Sequence, residues 1–285
     1  MADRYDVTED WLAKLNGKFS ENDIPHEQRP WLAWMEWSRS TGLSVSRDDR
    51  NVEKIFDWFE VNTRAGSQYF GPMFVGSFYF DSCFWPIFIP VVFGRVQVNA
   101  FNSLRTVPYQ TKKRLTSNKD AILHYIALWA DCLDYAYSID ELSNSQRLSA
   151  YCRELLRSGD NELNATITLL HAERPNAKSI ESARMSVEMF LKAFLAAKIG
   201  LTDAQARKEF RHDLHKTMDK CVEVLDHPEL KLIRDDLAIF PPIEDRYKGV
   251  KRTPIDLWAG YSIAQYTGAT VGRLLSGRDV RPAIR

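Results

Sequence analysis

Apolar and polar positions repeat with a helical period over most of this chain. After Ser117 or Asn118 as a helix N-cap, Ile122, Ile126, Trp129 and Leu133 form one stripe. The longest periodic run opens at Ser179 and closes at Gly200. Its apolar positions are Ala183, Val187, Phe190, Phe194 and Ala197, widened by Met189, Leu191 and Leu195. A face that broad predicts a helix packed on more than one side. Shorter helices are predicted over Glu9–Leu15, from Pro30 and over Asp48–Glu60, and others over Ser143–Arg157 and residues 162–173. The SGDN sequence at 158–161 reads as a turn between the last two. Thr202 caps TDAQARKEF, a helix covers 212–226, Pro228 opens a short helix, and Pro254 opens the closing one. Small residues in that closing helix, Ala259, Gly260, Gly268 and Ala269, admit a close neighbour in a bundle.

Two stretches depart from this pattern. Trp31, Trp34 and Trp37 recur every three residues along one side of a helix. They read either as a core-facing stripe or as a stacking platform, and no basic residue lies among them to favour the second. Residues 69–100 are rich in Phe, Tyr, Val and Ile and are broken by Gly and Pro, so a long helix is excluded. A small β-element or an extended buried segment is predicted there, with GSFYF and VQVNA as short strands. Its aromatics either line a pocket or fill a mixed core, and Asp81 is either a functional acid or a turn or cap residue. The uncharged run from Ser82 to Gly94 is too short to cross a bilayer as a helix. The fold class expected is mainly α: an antiparallel helical bundle at the C-terminus, preceded by a helical region with a small extended or β aromatic segment.

Composition narrows the function. Of 285 residues, 45% are apolar, enough for a sizeable core. Lys plus Arg and Asp plus Glu are 38 each, so bulk charge provides no pull toward nucleic acid or an anionic membrane; only a local basic patch would. Cys83, Cys132, Cys152 and Cys221 are widely spaced without a CxxC pair, which argues for buried free thiols rather than zinc or a disulfide scaffold. The first residues are charged and lack the apolar core of a signal peptide. A cytoplasmic, non-membrane protein is expected.

The phosphate loops GxGxxG and GxxxxGK[ST] are absent, as are HExxH and GxSxG. The histidines supply the remaining candidates. His212 and His215, three apart, would share a helix face, but at a helix start they read as capping and packing groups, and no metal site or cofactor is expected. His124, Asp131 and Asp134 would share another face; paired carboxylates suit acid–base work or hydrated Mg²⁺, with solvated helix charges as the default. Glu188 and Lys192 form an i,i+4 pair that reads as surface stabilisation.

Three C-terminal segments, ESARMSVEMFLKAFLAAK, HDLHKTMDK and EDRYKG, occur in an order and spacing that resembles the HEPN family (higher eukaryotes and prokaryotes nucleotide-binding). The matching positions are Ala183, Ser186, Val187, Glu188, Leu191, Lys192 and Ala193, then His212, Asp213 and Leu214, then Arg246 and Tyr247. Lys248 stands where family members usually have proline. The resemblance covers 177–276 and implies a bundle of four or five antiparallel helices, often a homodimer, in a defence or toxin–antitoxin setting. Three regions are expected along the chain: 1–115 mixed and mostly helical without a recognised family, 116–176 as a helical connection, and 177–285 as the HEPN-like bundle. A domain boundary is expected between 105 and 118 or between 173 and 179.

Many members are RNases with an Arg followed four to six residues later by a His. Arg207 and His212 fit that spacing, although the same His is structural in a non-catalytic branch. The resemblance implies either a module binding nucleotide, RNA or a protein partner through Glu188, Lys192, Arg211, His212 and His215, or a metal-independent endoribonuclease. In the enzyme, His212 would transfer the proton, Arg207 would stabilise phosphoryl charge, and Arg211 and Lys208 would hold the backbone. A third reading puts the function in residues 1–176.

Overall fold

The computed structural model describes residues 6–42, 49–63, 71–92, 96–242 and 251–284. The chain divides into two compact units, 1–71 and 72–285.

The first unit holds three helices, α1 (Glu9–Glu21), α2 (Arg29–Thr41) and α3 (Arg50–Asn62). Thr8 and Asp49 cap α1 and α3 with their side chains. Leu12, Ala33, Trp37, Val52, Ile55, Phe56 and Phe59 form its core. Trp37 is buried, and Trp31 and Trp34 are half-buried with their rings against Phe56, so the tryptophan stripe faces the core.

The second unit begins with a hairpin, β1 (Phe74–Phe80) and β2 (Cys83–Ile89), paired from Phe74 opposite Ile89 to Phe80 opposite Cys83. Asp81 and Ser82 form its two-residue turn with φ of 55° and 61°, the left-handed pair that a twisted hairpin needs. Asp81 is therefore a turn residue, ion-paired with Arg114. Pro86 stands opposite Ser77, whose N–H turns away from β2 and donates to Tyr261 Oη at 2.9 Å. The missing N–H of Pro86 thus costs the ladder nothing. GSFYF lies in β1 as expected, whereas VQVNA is not a strand: 96–99 are irregular and Ala100 opens a 3-10 turn. Phe74, Phe78 and Phe84 are buried in the main core, which answers the question of whether these aromatics line a pocket or fill the interior.

Helices follow: α4 (Tyr109–Thr116), α5 (Lys119–Asn144), α6 (Ala150–Leu170), α7 (Ser179–Ile199), α8 (Asp203–Glu209), α9 (Leu214–Val224), α10 (Pro228–Asp236) and α11 (Pro254–Ser276). Asn118 caps α5, Thr202 caps α8 with Gln205 in a capping box, and Thr253 does the same for α11 with Asp256. The core face of α5 is Tyr125, Leu128, Cys132, Tyr135 and Ile139; of the expected stripe only Trp129 is buried, and Ile122, Ile126 and Leu133 are half-buried.

The expected break at 158–161 does not occur, and α6 runs through it. A Cβ at Gly159 would meet Phe190 Cε1 at 2.7 Å, and Asp160 accepts from Tyr135 Oη at 2.6 Å. These turn-forming residues serve the seam with α7 and α5 instead. In α11, Gly260, Gly268 and Gly272 lie against Ile180, Tyr135 and Ser138, so this helix sits close on α7 and α5. The result is an antiparallel bundle in which α7 packs on α6, α9 and α11, while α5 packs on α6, α11 and the hairpin. The hairpin and α4–α6 belong to the same unit as α7–α11.

Candidate functional site

Helix α7 presents Arg184, Glu188 and Lys192 four residues apart, on one face. All three are buried, and Glu188 has 0% exposure. Its carboxylate accepts from Lys192 Nζ at 2.6 Å and Arg184 Nη1 at 3.3 Å. A buried carboxylate is tolerated only with such partners.

The two cations also reach across to the turn between α8 and α9. That turn reverses at Arg211, whose φ is +48° and whose N–H donates to Ala206 O at 3.0 Å. A non-glycine residue there costs roughly 1–2 kcal/mol. The strain is offset by charged hydrogen bonds: Lys192 Nζ donates to Arg211 O at 2.6 Å and Arg184 Nη2 to His212 O at 2.5 Å. His212 Nδ1 lies 3.1 Å from Glu188 Oε1. The buried carboxylate therefore fixes the imidazole from below, while the His212 side chain stays 56% exposed. With Nδ1 directed at the carboxylate, Nε2 is the nitrogen left to exchange a proton with a ligand.

Glu188, Lys192 and His212 line a cleft of about 560 Å³, with Tyr151, Glu154, Asp203, Arg207 and Arg211 on its walls. Arg207 is 81% exposed and paired with Asp203 at 2.9 Å. Arg211 is exposed, and among the described residues its guanidinium has no ion-pair partner. A second pocket, of about 510 Å³, opens on the other side of the turn. Arg211 and His212 belong to both, and His215, Leu237, Phe240 and Pro241 belong to the second.

Of the residues named from sequence, Arg207, Arg211, His212, Glu188 and Lys192 come together in the cleft; His215 lies in the second pocket, and Lys208 is exposed outside both. Glu188 and Lys192 are not a surface pair, because Arg184 and the turn cover them. His212 and His215 do not share a helix face: Asp213 is the N-cap of α9, so His212 precedes the helix. Arg246 and Tyr247 lie outside the described residues. Arg184 joins the group unannounced by any motif; its place four residues before Glu188 is the signal for it in the sequence. Tyr151 and Glu154 reach the site only through the packing of α6 on α7.

The pair Asp131 and Asp134 also departs from expectation. They are buried rather than solvated, and His124 is exposed apart from them. Arg273 Nη1 lies 2.7 Å from Asp131 and 3.3 Å from Asp134, and its Nη2 lies 3.0 Å from Glu229. The Asp134 carboxylate also accepts from the N–H of Val280, and Arg281 pairs with Glu229 at 2.6 Å, which ties residues 279–281 to the bundle. Burial pushes the Asp131 carboxyl up to about 6, against the pull of Arg273. Asp131 and Asp134 thus anchor the C-terminal segment, with their charge committed to Arg273.

Among the described residues, no group of three or more His, Cys, Asp or Glu is placed to hold a metal ion, and no helix is long and apolar enough to cross a membrane. No family model matches the chain, and no curated protein or solved structure does either.

Proposed function

We propose that the cleft between α6, α7 and the α8–α9 turn binds a phosphate of RNA or of a nucleotide, as the HEPN resemblance implies. The observation that carries this reading is the convergence of exposed Arg207 and Arg211 with a carboxylate-held His212 on one cleft. Guanidinium groups suit phosphate oxygens, and Arg211 has no competing ion pair among the described residues. The chain's neutral bulk charge is no obstacle to such a local site. Three buried free thiols, Cys132, Cys152 and Cys221, fit a reducing cytoplasmic setting. A homodimer belongs to the same reading, and sedimentation of the purified chain tests it.

The test of binding is fluorescence anisotropy with a labelled single-stranded RNA. Arg211→Ala is expected to weaken binding about tenfold, a loss of about 1.4 kcal/mol. Affinity unchanged in both Arg207→Ala and Arg211→Ala would remove the cleft from consideration.

The Glu188–His212 contact favours a second reading, metal-independent cleavage. His212 would take the proton from a ribose 2′-hydroxyl, whose oxygen attacks the adjacent phosphorus. The P–O5′ bond breaks, the 5′-oxygen leaves and takes a proton from water, the His212 imidazolium returns its proton to solvent, and a 2′,3′-cyclic phosphate remains. Arg207 would stabilise the charge that builds on the phosphoryl oxygens. Cutting in the presence of EDTA, lost in His212→Ala while RNA binding persists, is the expected result. Equal cutting by both proteins rules the enzyme out.

A further inference from the structure

We infer that the second pocket, across the turn from the cleft, receives the nucleobase that adjoins the bound phosphate, so that the ligand is recognised as a nucleotide unit and not as a bare anion. This rests on the phosphate-binding reading above. Three observations lead to it.

First, the two cavities are neighbours at the turn. Arg211 and His212 line both, so a phosphate on those side chains has the second pocket one residue away. Second, the second pocket sets apolar surface beside polar groups: Leu237, Phe240 and Pro241 stand with Arg184, Asp213 and His215. A base is a flat apolar body with polar edges, and such a pocket matches it. Third, His215 stands exposed on that wall in the first turn of α9, where an imidazole can stack on a base, as histidine does in single-stranded RNA recognition. The walls come from separate elements: α9 supplies His215, and the segment after α10 supplies Phe240 and Pro241. The turn between the cavities is itself held by Arg184 and Lys192 through its carbonyl oxygens, so their spacing is fixed before a ligand arrives.

Calorimetric titration of the full chain with ribose 5-phosphate and with the four ribonucleoside monophosphates tests this. At least one nucleotide is expected to bind about tenfold tighter than ribose 5-phosphate, with the difference collapsing in His215→Ala. Because His215 is exposed, that variant keeps its fold, which circular dichroism checks. If ribose 5-phosphate binds as tightly as every nucleotide, the base pocket is overturned while phosphate binding stands. A preference that survives intact in both His215→Ala and Pro241→Ser would overturn it too. If neither class of ligand binds and labelled RNA does not bind, the phosphate reading fails along with it.

Discussion

Glu188 shows how a single buried charge organises a surface. It has two cationic neighbours on its own helix and an imidazole from a turn 24 residues later in the chain. The same cations grip that turn by its carbonyls, so the carboxylate positions the exposed groups. Asp131 holds a charge under less favourable terms, and this makes it visible in solution. Its folded-state pKa of about 6 lies above the ordinary 3.8, so between those values the folded chain binds more protons here than the unfolded chain. Stability from this group is complete at low pH and is lost as pH rises through about 6. Asp131→Asn removes that slope. In urea melts, the stability of the natural chain relative to the variant is expected to rise on going from pH 7 to pH 4, by roughly 2 kcal/mol. Parallel pH profiles for the two proteins would contradict the burial argument.

At the scale of elements, helix ends separate what local sequence determines from what packing determines. Thr202, Pro228 and Pro254 mark helix starts in sequence and in structure alike, because each start uses only neighbouring residues. Ser179 reads as a cap but is the first helical residue of α7. The turn before it is made by Asn176, which accepts from Lys178 N through its side chain and from Ser179 N through its carbonyl. The Ser179 hydroxyl is left buried without a partner among the described residues. Thr253→Ala is therefore expected to cost about 1 kcal/mol in chemical denaturation. Ser179→Ala is expected to be neutral or slightly stabilising, and the reverse ranking would show the cap assignment to be mistaken. The same division explains the other differences. SGDN carries turn chemistry, yet Phe190 and Tyr135 arrive from distant elements and keep it helical. CFWPIFI is a strand that its proline conceals, since only the pairing shows that Pro86 needs no donor. In the site, Arg207 and His212 were legible as a local spacing. Their relation to Glu188 was not, because no period in the chain predicts that α7 lies under the α8–α9 turn.

For the molecule as a whole, two cores are built from separate sets of residues, within 1–71 and within 72–285. Five of the eight tryptophans, Trp11, Trp31, Trp34, Trp37 and Trp58, belong to the first unit, while most of the helical residues belong to the second. Thermal unfolding followed by tryptophan fluorescence and by far-ultraviolet circular dichroism is expected to give midpoints that do not coincide. Superimposable curves would mean that the chain unfolds as one block. Within the larger unit, the seam between α6 and α7 has a consequence for how this sequence can vary through descent. Gly159 has no room for even a methyl group while Phe190 occupies its present place. An alanine at 159 must therefore travel with a smaller side chain at 190, and any lineage that keeps this seam should show the two exchanges inherited together rather than singly.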